Sequence, residues 1–299
     1  MGILKKLTEE YFGEIEREED LIDIHDLNVE IVSFTDNNGK FHKRGYKPKY
    51  KDTLKELLKR MIKVRGDEGD FNDIDTSNIK DMESLFDYNK KFNGDITGWN
   101  VSSVRNMANM FFNATSFNQD ISKWEFPNLI NMSCMFYNAT SFNQDISKWK
   151  FPNVENMNGM FSYAESFNQP IGNWKFPNVE KMNRMFYCAK SFNQPIGNWE
   201  FPNVENMSSM FYYATSFNQP IGDWEFPNVT DMNSMFYGAK SFNQPIGDWK
   251  FPNVIYMNSM FSDATSFNQD LSKWDLSKKE KSKIFDGCPI KKEYKPKMK

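Results

Sequence analysis

Histidine is nearly missing from this 299-residue chain, which holds only His25 and His42, and cysteine occurs three times, at Cys134, Cys188 and Cys288. An odd number of cysteines without metal-ligand spacing supports neither a disulfide framework nor a zinc site, and a reducing compartment suits them. With no carboxylate or cysteine cluster to match them, both histidines read as ordinary surface or turn residues. A glycine-rich phosphate-cradling loop is also missing. Charge of one sign is scarce: 37 Lys and Arg against 40 Asp and Glu give a net charge of −3, which exerts no general pull toward nucleic acid or an anionic membrane. Long apolar runs are lacking too. Nothing approaches the roughly 20 residues of a membrane span, the N-terminal residues show no signal-like apolar stretch, and Lys6 stands where a myristoylation signal after Gly2 needs Ser or Thr. The expectation is a chain without membrane insertion and with a cytoplasmic location, a cell-surface or leaderless-export location being the alternative.

What the chain has in abundance is aromatic residues, 16% of the total, arranged with a strict period. All eight tryptophans (Trp99, Trp124, Trp149, Trp174, Trp199, Trp224, Trp249 and Trp274) recur every 25 residues, and Phe92 through Phe267, each followed by Asn, keep the same step. Repetition at a fixed period is read before any other feature. The unit is W-x-F-P-N-V-x-x-M-x-x-M-F-x-x-A-x-S-F-N-Q-[PD]-I-x-x. After Val154 the apolar residues Met157, Met160, Phe161 and Ala164 fall in steps of three and four, which predicts one buried face of a short helix or 3₁₀ turn. Trp174 and Phe176 flank the charged Lys175, which predicts a very short strand stopped by Pro177. One unit cannot bury its own apolar side, so neighbouring units must stack with identical residues in ladders about 4.8 Å apart. In such a stack the methionines are core filler, and the Asn of each Phe-Asn-Gln step satisfies backbone groups of its own and the next unit. Cys134 and Cys188 then sit two units, about 10 Å, apart, too far for a disulfide.

The motifs "W-x-F-P-N-V" and "M-x-x-M-F-x-x-A-x-S-F-N-Q-D-I" resemble the 25-residue form of the BspA-like leucine-rich-repeat family of mycoplasmal and other bacterial surface proteins. The segment "FNDIDTSNIKDMESLF" at 71–86 resembles that family's usual first turn, and the likeness covers about residues 46–286. The resemblance implies an α/β repeat solenoid, a right-handed leucine-rich-repeat-like stack of about eight to nine turns with a helical N-terminal cap. It also implies a surface interaction or adhesion role. Many relatives carry a leader, and no such segment is read here.

The ends depart from the repeat. Residues 1–45 read as a separate element, a charged helix within "LKKLTEEYFGEIEREEDL" and then a hairpin turning at Asn38-Gly39. Residues 46–70 hold the cap, a helix with Leu54, Leu57, Leu58, Met61 and Ile62 on one stripe, a capping box from Thr53 and Glu56, and closure near Gly66. The repeats run over 71–286, beginning irregularly with Ile74 in the tryptophan position and ending on the core pair Ile284-Phe285. Residues 287–299 read as a disordered basic tail.

Catalysis needs unrepeated groups converging on one place, and the repeats offer only scattered acids, so no enzyme, cofactor or metal centre is expected. Function should lie where the copies differ. The residues flanking each Trp read Lys123/Glu125, Lys148/Lys150, Asn173/Lys175, Asn198/Glu200, Asp223/Glu225, Asp248/Lys250 and Lys273/Asp275. A basic group at Lys148, Lys150 and Lys175 gives way to an acidic one at Glu200, Asp223 and Glu225, with Lys250 beyond. A rival surface is the column after each Met-Phe pair, where Tyr187, Tyr212 and Tyr237 stand beside Tyr163 and Tyr213, because Tyr is enriched at contacts. The expected function is a non-catalytic, protein-binding or adhesion repeat with a protein partner and no nucleic-acid partner. A structural component that self-assembles through the regular stack is the alternative.

Overall fold

The computed structural model describes residues 22–298; the charged helix expected over residues 4–21 lies outside them. Regular secondary structure is confined to the ends. Strands β1 (Val29–Thr35) and β2 (Phe41–Pro48) form an antiparallel hairpin with Ile31 opposite Tyr46. The turn is built by Asp36, whose carboxylate accepts the amides of Asn38 and Lys40, both at 2.9 Å. Gly39 takes φ +82° there, a left-handed conformation suited to glycine. The element does not end at residue 45, because β2 runs on and pairs in parallel with the first repeat at Tyr46 and Ile74. His42 is not a surface residue: it is 8% exposed, stacks on Phe34 and bonds Asp36 at 2.9 Å. Burial alone would raise the Asp36 pKa, but the bonds from His42, Lys40 and Asn38 outweigh it and hold it below the usual carboxylate value.

Helix α1 (Lys51–Arg65) follows directly and buries Leu54, Leu57, Leu58 and Met61. Its basic last turn suits the negative helix end, and it closes where Gly66, at φ +81°, donates to Ile62 O. The capping box does not form. The helix starts at Lys51, which puts Thr53 inside it, and Glu56 bonds Arg60 instead. Arg65 clamps Asp73 through two 2.7 Å bonds, tying α1 to the first repeat.

Beyond α1, parallel bridges join equivalent residues of successive coils, running Asp81, Asn106, Asn131, Asn156, Lys181, Asn206, Asp231, Tyr256 and Glu280. The bridges run through the Met-x-x-Met-Phe segment, not through Trp-x-Phe, and neither the expected helix nor the expected strand is present in the repeats. The reason is visible in one coil. The amides of Met132, Cys134, Phe136 and Asn138 donate to the next coil at Asn156, Asn158, Met160 and Ser162 (2.7–3.0 Å), while Met135, Tyr137 and Ala139 close local turns three residues back. Every second amide is therefore unavailable to a helix. The chain instead folds back through left-handed residues four apart, such as Cys134 (φ +54°) and Asn138 (φ +53°).

The Trp-x-Phe segment is held by side chains. Trp149 Nε1 donates to Ile121 O one coil back at 3.1 Å, and Trp174, Trp199, Trp224, Trp249 and Trp274 repeat the bond to Ile146, Ile171, Ile196, Ile221 and Ile246. Trp124 Nε1 breaks the series and is buried without a partner. All eight indoles are at most 4% exposed. Their rings stack from coil to coil, Trp174 on Trp199 at 6.5 Å and Trp199 on Trp224 at 6.4 Å, beside parallel ladders of phenylalanine.

The asparagine ladder is continuous. From Asn93 to Asn268 each Oδ1 accepts the amide of the equivalent Asn one coil later at 2.9 Å, and Asn268 Oδ1 accepts from Lys291 at 3.0 Å. Each following Gln donates back to the preceding Asn carbonyl, as Gln219 does to Asn193 at 2.9 Å. The C-terminal segment is not a loose tail: Ile290 is 6% exposed, Leu271 N–H donates to Tyr294 O, and Lys297 bridges Asp275. It covers a core edge that the last coil would otherwise leave open.

Replacing Asn193 by Ala leaves the part-buried Asn218 amide without its partner, a loss of about 1 kcal/mol. Urea unfolding should show that loss for Asn193→Ala and a change within about 0.5 kcal/mol for the exposed Asn198→Ala.

Candidate interaction surface

The side chains flanking each tryptophan point outward because the indole between them points inward. Lys148, Lys150, Lys175, Glu200, Asp223, Glu225 and Lys250 are all exposed. Neighbouring members of one column touch: Lys175 Nζ lies 3.3 Å from Glu200 Oε1, and Lys273 Nζ lies 2.6 Å from Asp248 Oδ1. The two columns share one face. Asp223, Glu225, Asp248 and Lys250 line a shallow groove of about 560 Å³ over Trp224, Phe226, Pro227 and Pro252, and an adjoining groove of about 490 Å³ joins Lys250 to Lys273 and Asp275. Asp223, Glu225 and Lys250 are thus brought together, Lys175 and Glu200 form a pair, and Lys148 and Lys150 stand three coils from the acidic group. Among the described residues no ion pair engages Lys148, Lys150, Asp223 or Glu225.

The tyrosine column is half-buried and continuous. Tyr187 stacks on Tyr212 at 4.4 Å and Tyr212 on Tyr237 at 4.8 Å, and Tyr163 bridges Tyr137 and Tyr187 at 5.3 Å each. The ring faces are consumed by their neighbours, so this ribbon offers a partner edges and hydroxyls. Burial pushes the phenols of Tyr137, Tyr163, Tyr187 and Tyr212 above their ordinary pKa. The Cys134 and Cys188 thiols beside them are free and are also raised by burial, which keeps them protonated and weakly nucleophilic. At Tyr237 the hydrogen bond to Asp263 is the main cause, and the phenol is pushed up to about 12.

A third groove, of about 610 Å³, escaped the sequence reading. It is lined by Asn128, Asn153, Asn178 and Asn203 with Arg105, Ile130, Glu155 and Glu180. The asparagines are constant from copy to copy, and each looked architectural. Each indeed donates one coil back, Asn153 to Pro127 O at 2.7 Å, yet its side chain still lines the surface. Variation at Arg105, Ile130, Glu155 and Glu180, just after each Val or Leu, was the available signal. Among the described residues there is no group of three or more His, Cys, Asp or Glu placed to hold a metal ion, and no helix long and apolar enough to cross a membrane.

The family of Mycoplasma proteins of unknown function DUF285 matches this chain in three overlapping stretches, residues 53–163, 130–219 and 198–294. The chain belongs to the DUF285 family. The matches span the cap helix, every coil and the C-terminal segment, so this DUF285 chain is a tandem array of the family's repeat. No curated protein and no solved structure matches it.

An unfolded tyrosine titrates near 10, so the unfolded chain gives up its phenol proton before Tyr237 does in the folded state. The stability contributed by that shift is full below about pH 10 and is lost as pH rises toward 12. Ultraviolet titration should find one phenol ionising near pH 12, and Asp263→Asn should return it toward about 10 and weaken the alkaline loss of stability.

Proposed function

We propose that this DUF285 chain is a non-catalytic binding protein that engages a protein partner through its variable columns, as an interaction or adhesion module. The observation that carries this reading is the division of labour within the unit. The repeated Trp, Met, Phe, Ala and Asn side chains are used inside the chain, whereas most variation falls on side chains that reach solvent in continuous columns. A repeated core with a varied, exposed surface suits recognition of an extended partner surface. The coil-to-coil pairing, the capped ends and the likeness of the repeat to BspA-like proteins support a right-handed, leucine-rich-repeat-like solenoid as the scaffold.

A chain with Lys148, Lys150, Lys175, Glu200, Asp223, Glu225 and Lys250 all replaced by Ser should keep its unfolding midpoint. Immobilised beside the parent chain in cell or host-surface extract, it should lose proteins that the parent retains. Equal retention by the two folded chains would remove these columns as the surface.

A further inference from the structure

The charges beside the tryptophans are not merely grouped; they are arranged antisymmetrically along the stack. Taken coil by coil from Trp124 to Trp249, the position before Trp reads Lys123, Lys148, Asn173, Asn198, Asp223 and Asp248, and the position after it reads Glu125, Lys150, Lys175, Glu200, Glu225 and Lys250. Reversing either list about its midpoint opposes every charge with its opposite. Lys123 meets Asp248, Lys148 meets Asp223 and Asn173 meets Asn198, while Glu125 meets Lys250, Lys150 meets Glu225 and Lys175 meets Glu200.

We propose that this face is the interface of an antiparallel two-fold homodimer, its axis lying in the contact plane between the Trp174 and Trp199 coils. The inference takes the exposed columns to be a contact surface, as above, and names a second copy of the chain as an occupant. A two-fold axis in that orientation reverses the order of coils and keeps each column opposite itself, so it makes all of these pairings, each twice. The other symmetric arrangement, with the stacks parallel, sets Lys148 against Lys150 and Asp223 against Glu225. Sliding the antiparallel copies by one coil puts Lys175 on Lys175 or Glu200 on Glu200 at the axis, and sets Glu125 against Glu225 or Lys150 against Lys250. Those registers mix like-charge with opposite-charge contacts, so the unshifted antiparallel one, in which no like charges meet, is favoured.

The structure supplies what the sequence pattern alone lacks. Both columns are exposed and line common grooves, and successive members lie within reach of one another, as the Lys175–Glu200 and Lys273–Asp248 pairs show. The hairpin meets one end of the strip and the C-terminal segment the other. The hairpin turn bonds Trp99 O and Thr97 through Asn37 and Asn38, and Asn38 also accepts from Lys123 at 3.0 Å. At the other end Asp275 is bridged by Lys297. The charges complement over the six coils from Trp124 to Trp249; beyond them Lys273 and Asp275 are also exposed, and Lys273 is engaged by Asp248. At the 6.4–6.5 Å ring spacing from Trp174 to Trp249, the strip's five coil steps span about 32 Å, with exposed Pro152, Pro177, Pro202 and Pro227 along one side. An interface this narrow and this charged is reversible and weakened by salt.

Sedimentation velocity on the purified full-length chain at low salt should show a concentration-dependent monomer–dimer equilibrium, with a dissociation constant that rises about tenfold or more between 50 and 500 mM salt. The paired reversal Lys148→Glu with Lys150→Glu should be monomeric, and so should Asp223→Lys with Glu225→Lys. Mixed in equal amounts these two variants should dimerise again, because each then presents to the other the charges it needs, and all four substitutions in one chain should restore the homodimer. Circular dichroism and unfolding midpoints check that each variant is folded. A parent chain that stays monomeric, variants that still dimerise, or a mixture and fourfold variant that stay monomeric would each overturn the proposal. In the same variants, lost self-association with retained capture of other proteins would overturn the binding reading at these columns and leave the dimer standing; retained self-association with lost capture would overturn the dimer and leave the binding reading standing.

Discussion

Half of the backbone amides in the Met-Phe segment point at the next coil, and the rest of the architecture follows from that commitment. A coil whose Met132, Cys134, Phe136 and Asn138 amides have no partner of their own cannot be satisfied alone. The next coil supplies the carbonyls and in turn presents its own amides, so the problem is passed along the chain until something different closes it. At the start β2 pairs with the tryptophan strip of the first coil through Tyr46 and Ile74, and Lys55 of α1 donates to Ser84 O on the open edge of the Met-Phe segment. At the end the last donors, such as Met257 and Phe261, find the carbonyls of Glu280 and Ile284 in a shortened coil, and the C-terminal segment covers what is left.

Parallel pairing in register also explains why the chain reuses the same large side chains. Once equivalent residues are neighbours, a ring is best packed by another ring at the same tilt, and the Phe111, Phe136 and Phe161 series stacks at 5.5–5.6 Å within 6° of parallel. A polar residue inside such a stack must find its partner along the same direction. Asn does so with a single amide group, which accepts the next backbone N–H while the following Gln reaches back to a carbonyl. Each such residue solves one local problem, and the repeat copies the solution.

With the interior fixed in this way, individuality is confined to positions that face water. There the chain carries long, flexible charged side chains on one face and half-buried tyrosine edges on another. Individual exposed ion pairs contribute little to folding, so the order of signs along the tryptophan face is not dictated by the stability of a single chain. An order that is its own complement on reversal fits the contact between two copies proposed above.

The period, the identity of the core residues, the helix after β2 and the Asn38-Gly39 turn are all legible from the amino-acid order, because each depends on local spacing or on a side chain with only one suitable place. The conformation of the Met-Phe segment is not. Apolar residues in steps of three and four fit a helix, and the left-handed positions are occupied far more often by Ser, Asn, Cys, Arg and Tyr than by Gly, so no local residue announces the turn. Likewise Thr53 and Glu56 spell a helix start that α1 passes over, and the basic C-terminal residues look like solvent-loving chain until Ile290 and Tyr294 find the end of the core. Sequence by itself determined what must be buried and how often. Only the tertiary structure decided which backbone groups cross between coils, because a hydrogen bond to a residue about 25 positions away competes with the local helix and leaves no mark on local propensity.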